Sequence, residues 1–160
     1  DPQVEGTSGT GTDGEIGYGV NYSGVEGLSL SYATTDVNDH SSNGAGDNSV
    51  IKASYAYGPV TVGFSEMEHD ENNTSGAGDI TMTSYNISYT VSDEISVSYG
   101  TEESNKGSAT TDLEVSGISA SYTSGGMTLS LTMQELENGN WGTGSEEDLD
   151  FYALGASFAF

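Results

Sequence analysis

The chain contains no cysteine. Disulfides, thiolate nucleophiles and zinc–thiolate sites are therefore excluded, and cysteine usage says nothing about the redox compartment. Basic side chains are nearly as scarce: Lys52 and Lys106 stand against 25 acidic residues, for a formal net charge of −23. That balance offers no electrostatic hold on nucleic acid or on an anionic membrane surface, and makes cations the natural counterparts. Hydrophobic residues fill only 33% of the 160 positions, so a large dry core is not expected. No run of about 18 apolar residues is present to form a membrane helix, and nothing after Asp1 resembles a signal peptide.

What is present is alternation. In the segment from Tyr152 to Phe160, the even positions include Tyr152, Leu154, Phe158 and Phe160, while the odd positions Ala153, Gly155, Ser157 and Ala159 are small. A period of two places successive side chains on opposite faces and predicts a strand. The same pattern predicts nine strands, at 16–23, 27–35, 49–58, 60–66, 81–91, 95–101, 114–123, 127–134 and 150–160. One face of these strands carries groups such as Tyr18, Val20, Leu30, Ile51, Tyr55, Val62, Tyr85, Ile87, Tyr99, Ile118 and Leu131. The other is small and polar, with Ser54, Asn86, Ser88, Ser96, Ser98, Ser119, Ser121 and Ser130, and with Lys52 as its one charge.

The acidic residues gather between the strands, in 1–15, near 35–49, 66–79, 102–114 and 134–150, or in turns at Glu26 and Asp93-Glu94. Connections alternate between short and long. The short ones hold the residues tight reversals need, as in Gly58-Pro59 and Ser124-Gly125-Gly126. The long ones are read as acidic, Asn/Gly/Ser-rich loops of about 12 to 16 residues, at the upper end of ordinary loop lengths. Gly44-Ala45-Gly46-Asp47 recurs as Gly76-Ala77-Gly78-Asp79 about 32 residues on, as expected of one hairpin per repeat. Calcium-binding nonapeptide repeats share such glycine-aspartate runs but recur in tandem at about nine residues, which does not fit.

The composition of the two faces bears on solvent. A soluble β-sandwich would bury the aliphatic face and cover its outside with charge, both for solubility and to discourage edge pairing. Here the second face is hydroxyl- and glycine-rich instead. Small polar groups suit a water-filled lumen, and Tyr, Leu, Val and Phe on the other side suit hydrocarbon flanked by interfacial tyrosines. The expectation is an all-β fold, an antiparallel transmembrane β-barrel, which hydropathy averaging would miss.

The closing segment, with Tyr152, Leu154, Phe158 and Phe160 at alternate positions up to a C-terminal Phe, resembles the last strand of Gram-negative outer-membrane barrels. Together with short turns at one end and long loops at the other, the chain is similar to general, non-specific porins, in particular the Gly- and acid-rich porins of alphaproteobacteria. That resemblance implies recognition of Tyr152, Leu154, Phe158 and Phe160 by the barrel-assembly machinery. It also implies long loops outside the cell, a periplasmic C-terminus, a homotrimer, and contact with membrane lipid and lipopolysaccharide. The family's inward-folded constriction loop and opposing basic cluster map onto no residues here. Nine is an odd count, whereas bacterial single-chain barrels have even numbers of strands. A porin of roughly 16 strands, enough to leave an aqueous channel, would take strands 8 to 16 from this chain. Residues 1–160 are then the C-terminal portion of one barrel domain, with 1–15 an extracellular loop segment and the remaining N-terminal strands as partners. A miscounted strand would make it a complete eight-stranded barrel.

Three function classes follow. The first is a diffusion channel for small hydrophilic solutes and ions, lined by Lys52, Ser54, Asn86, Ser88, Ser96, Ser98, Ser119, Ser121 and Ser130, under an acidic rim that favours cations within a screening length of about 8 Å. The second is a β-rich surface or adhesive protein with acidic calcium-binding loops, although its apolar face would aggregate unless it polymerised. The third is an outer-membrane hydrolase, for which His40 and His69 lie in polar loops without convergent partners; no enzyme is expected. Asp47, Asp79, Glu146, Glu147 and Asp148 are candidate Ca2+ ligands, because carboxylate oxygens suit a hard cation, with solvated loops as the plainer account. Trp141 is open to folding on the rim or meeting a neighbour. The strand near Met127–Met133, without aromatics on its apolar face, is a candidate subunit contact, with lipid contact as the plainer account.

Overall fold

The computed structural model describes residues 15–37, 46–71, 75–144 and 147–159. They form one antiparallel sheet of nine strands in sequence order. The strands are β1 (Glu15–Tyr22), β2 (Leu28–Val37), β3 (Asp47–Tyr57), β4 (Val60–Asp70), β5 (Ile80–Thr90), β6 (Ile95–Lys106), β7 (Leu113–Ser124), β8 (Met127–Glu137) and β9 (Leu149–Phe158). A single 3-10 turn at Gly139–Trp141 is the remaining element. Every predicted strand is present, with boundaries close to those expected at the short-turn end. Among the described residues the count is nine rather than eight, and β1 and β9 do not pair.

At the other end the strands run further than expected. β4 continues to Asp70, β6 to Lys106 and β8 to Glu137, which leaves 107–112 as the connection between β6 and β7. Segments rich in Glu, Ser and Asn have weak strand preference by themselves, but each is flanked on both sides by a neighbour that supplies ladder hydrogen bonds. Pairing overrides propensity here. Stretches assigned to acidic loops are therefore in part sheet, and His69, expected in a loop, lies in β4 opposite Asn48. His40 lies outside the described residues.

The short turns follow from backbone demands. Gly125 and Gly126 both have positive φ (57° and 82°), the geometry of a two-residue hairpin between β7 and β8, and Gly58 (φ 56°) precedes Pro59 between β3 and β4. Each short turn is also tied to the strand beyond its own hairpin. Gly27 O accepts from Ala56 N (2.8 Å), Pro59 O from Thr90 N (2.8 Å), Glu94 O from Thr123 N (2.8 Å) and Gly126 O from Ala159 N (2.7 Å).

A single sheet with no second layer disposes of the sandwich. Among the described residues no hydrophobic side chain is buried. Tyr57 is 76% exposed and Leu154 81%. The ladder satisfies the backbone, and the apolar face is left for something other than this chain to cover.

Candidate functional site

Strand parity puts all nine expected lining residues on one face. In β6 the alternation is visible as burial: Ser96, Ser98, Gly100 and Glu102 are half-buried, while Ile95, Val97, Tyr99 and Glu103 are exposed. Hydroxyls opposite each other in the register bond across the strands. Ser96 Oγ and Ser121 Oγ are 2.7 Å apart, Ser98 Oγ and Ser119 Oγ 2.7 Å, and Thr123 Oγ1 and Thr128 Oγ1 3.0 Å. Such pairs satisfy hydroxyls sideways within the wall, which leaves it smooth and wettable.

Glycines on this face make room for longer polar groups. Asn86 sits opposite Gly63, where a Cβ would come within 2.6 Å of its amide. Ser130 lies opposite Gly155, with 2.6 Å from its hydroxyl to the place of a Cβ. Lys52, Ser54, Ser29, Ser31, Ser65 and Asn86 line a hollow of about 410 Å3. A second, of about 630 Å3, is lined by Asn86, Ser84, Ser88, Ser98, Ser119, Thr132 and Gln134. Asn86 borders both, so the two hollows adjoin.

Lys52 is not the sole charge of this face. Extension of β6 brings Glu102 and Lys106 onto it, and extension of β4 brings His69. Ser84 Oγ donates to Glu102 Oε2 at 2.9 Å, and His69 Nδ1 lies 2.9 Å from Asn48 Oδ1. The signal for Glu102 was in the sequence: it continues the even-numbered series Ser96, Ser98, Gly100. Its acidic neighbours hid it.

The other carboxylates of β2 to β9 take the apolar face, at its long-loop end. Glu103, Glu114 and Glu137 are consecutive partners across β6, β7 and β8, and Glu135 faces Asp150. With Glu66, Thr83, Tyr85, Tyr99 and Thr101 the first three and Glu135 border a hollow of about 650 Å3, whose lining Glu102 also reaches from the strand's other face. Tyr85 packs on Phe64 just beyond, ring centroids 5.3 Å apart.

The described members of the candidate calcium set do not gather into a ligand cluster. Asp79 Oδ1 accepts from Glu71 N (3.0 Å), and Asp148 Oδ1 from Asn138 N (3.0 Å). Asp47 opens β3 opposite Asp70, Glu147 O accepts from Gly139 N, and Glu146 lies outside the described residues. Among the described residues no group of three or more acidic or histidine side chains is arranged to hold a metal ion. Trp141 folds back on the rim: its Nε1 donates to Ser104 O (2.8 Å), and Lys106 Nζ lies 4.8 Å from its ring. Tyr152, Leu154 and Phe158 share the apolar face of β9, opposite Met133, Leu131 and Met127, and Phe160 lies outside the described residues.

No protein-family model matches the chain, and no curated protein does. Among solved structures, a porin refined at 1.8 Å resolution is similar, with a TM-score of 0.66 at 19% identity, over 88% of this chain and 50% of that one. The chain spans about half the length of that porin. At this identity the likeness is one of fold: the nine-stranded antiparallel sheet is porin-like.

Proposed function

We propose that the chain forms part of the wall of an outer-membrane diffusion channel, through which small hydrophilic solutes and ions pass. One observation carries this reading. A single sheet with no buried hydrophobic side chain presents an apolar face to one solvent and a hydroxyl- and glycine-lined face to another. Hydrocarbon on the first and water on the second satisfy both at once.

The reading extends to the rest of the assembly. The unpaired edges of β1 and β9 are closed by further strands of the same barrel, so that this chain supplies strands 8 to 16 of roughly 16. Its Gly- and acid-rich composition supports a general porin of the alphaproteobacterial kind, trimeric and assembled through Tyr152, Leu154, Phe158 and Phe160. The long connections lie outside the cell and the C-terminus in the periplasm. Carboxylates on the apolar face, Glu103, Glu114 and Glu137 among them, then stand level with lipid head groups, where Ca2+ bridges them to lipopolysaccharide phosphates.

The test is conductance of the complete protein in planar bilayers. Stepwise openings that scale with bulk conductivity are expected. Folded, inserted protein that never opens would refute the channel and leave the adhesive surface protein as the better account.

A further inference from the structure

The register places Lys52, Ser65, Ser84 and Glu102 in one cross-strand row on the polar face, each the direct partner of the next. With strands about 4.8 Å apart, the backbones of Lys52 and Glu102 are separated by roughly 14 Å. Two serines lie between a cation and an anion. Ser84 Oγ donates to Glu102 Oε2 at 2.9 Å, which holds the carboxylate along the row rather than letting it swing free. On the far side of Glu102 the row turns apolar, through Val115, Leu136 and Leu149. The charged row therefore ends at Glu102.

Other charges on this face are few. Lys106 lies on the same strand, but its ammonium sits against the Trp141 ring at 4.8 Å, and that loop covers it from one side. His69 is engaged with Asn48. Glu15 shares the register parity of this face at its far edge in β1, while the remaining carboxylates of β2 to β9, such as Glu103 and Glu114, take the opposite face. Among the described residues, a solute moving along the polar face thus meets one lysine outside any ion pair and one carboxylate within the hollows that adjoin at Asn86.

We infer that Glu102 is a specificity-determining residue of the channel, attracting cations to this wall, and that Lys52 in the same row opposes it. The inference rests on the channel reading. Because the two charges have opposite sign in one row, their effects on selectivity cancel in part, and removing either unmasks the other.

The test is the reversal potential of the complete protein in planar bilayers under a salt gradient. Glu102→Gln keeps an acceptor for Ser84 and removes the charge. It is expected to lower the cation-over-anion permeability ratio about twofold at low ionic strength, with openings of wild-type size. Lys52→Gln should raise the ratio by a similar factor, and the double variant should return close to wild type. Channels of normal size whose reversal potential is unmoved by Glu102→Gln overturn the inference and leave the channel reading standing. A change in the same direction for both single variants overturns it as well. Protein that is folded and inserted yet never conducts overturns both.

Discussion

Trp141 shows how much one side chain organises at the rim. Asn138, Asn140 and Trp141 all have positive φ (54°, 53° and 56°), a left-handed stretch without glycine at these three positions. Such conformations cost energy and persist only when surrounding contacts hold them. Here the contacts are Trp141 Nε1 to Ser104 O, Thr111 Oγ1 to Trp141 O (3.1 Å) and Asn138 Nδ2 to Asp112 O (3.0 Å). Lys106 adds a cation–π contact worth about 0.5–1 kcal/mol at an exposed site. As the chain's one tryptophan, Trp141 reports on this latch directly. Lys106→Gln should shift its emission to the red and make it more open to acrylamide quenching, while wild-type fluorescence stays protected. The sequence leaves Trp141 open to folding on the rim but does not give its partners, because Ser104 and Lys106 end β6 while Trp141 follows β8, and they meet only across the folded rim.

Strand pairing explains the largest departure from expectation. From sequence, acidic runs at the strand ends read as loops, because charge and low strand preference usually mean solvent. In the sheet they pair, and pairing has a cost: Glu103, Glu114 and Glu137 stand directly opposite one another, and like charges so placed destabilise. Glu114, in the middle, faces two such neighbours. Glu114→Gln should stabilise the folded protein by about 0.2–1 kcal/mol in a detergent melt at low salt, with the gain shrinking as salt or Ca2+ is added. If the gain is independent of both, repulsion is not what the substitution relieves. The same extension that creates this row carries Glu102 to the other face, so one local event placed both the repulsive row and the proposed selectivity residue.

Across the whole sheet, every strand sorts its residues between two environments, and neighbouring positions should respond oppositely to the same substitution. Leu131 lies mid-strand on the apolar face and Thr132 beside it on the polar face. On the proposed reading, Leu131→Arg costs about 2–4 kcal/mol of stability in a lipid bilayer, whereas Thr132→Arg is nearly neutral. Equal effects in vesicle-refolding titrations would show that the two faces do not meet different solvents. The faces themselves are legible from the chain, since a period of two needs no tertiary information: alternation alone groups Ser96, Ser98, Ser119 and Ser121. The strand order was also readable, because hairpins join each strand to the next.

Alternation and turn chemistry, both local, thus determined the all-β class, the nine strands and the membership of each face. Tertiary structure alone decided where the strands stop, which side chains stand opposite one another, and that Glu102 shares a row with Lys52. The physical reason is that strand ends depend on hydrogen bonds from a neighbour, and register on the summed pairing of whole strands. Neither is a property of any short segment. The open edges of β1 and β9 belong with these, since only the assembled sheet shows that its first and last strands do not meet.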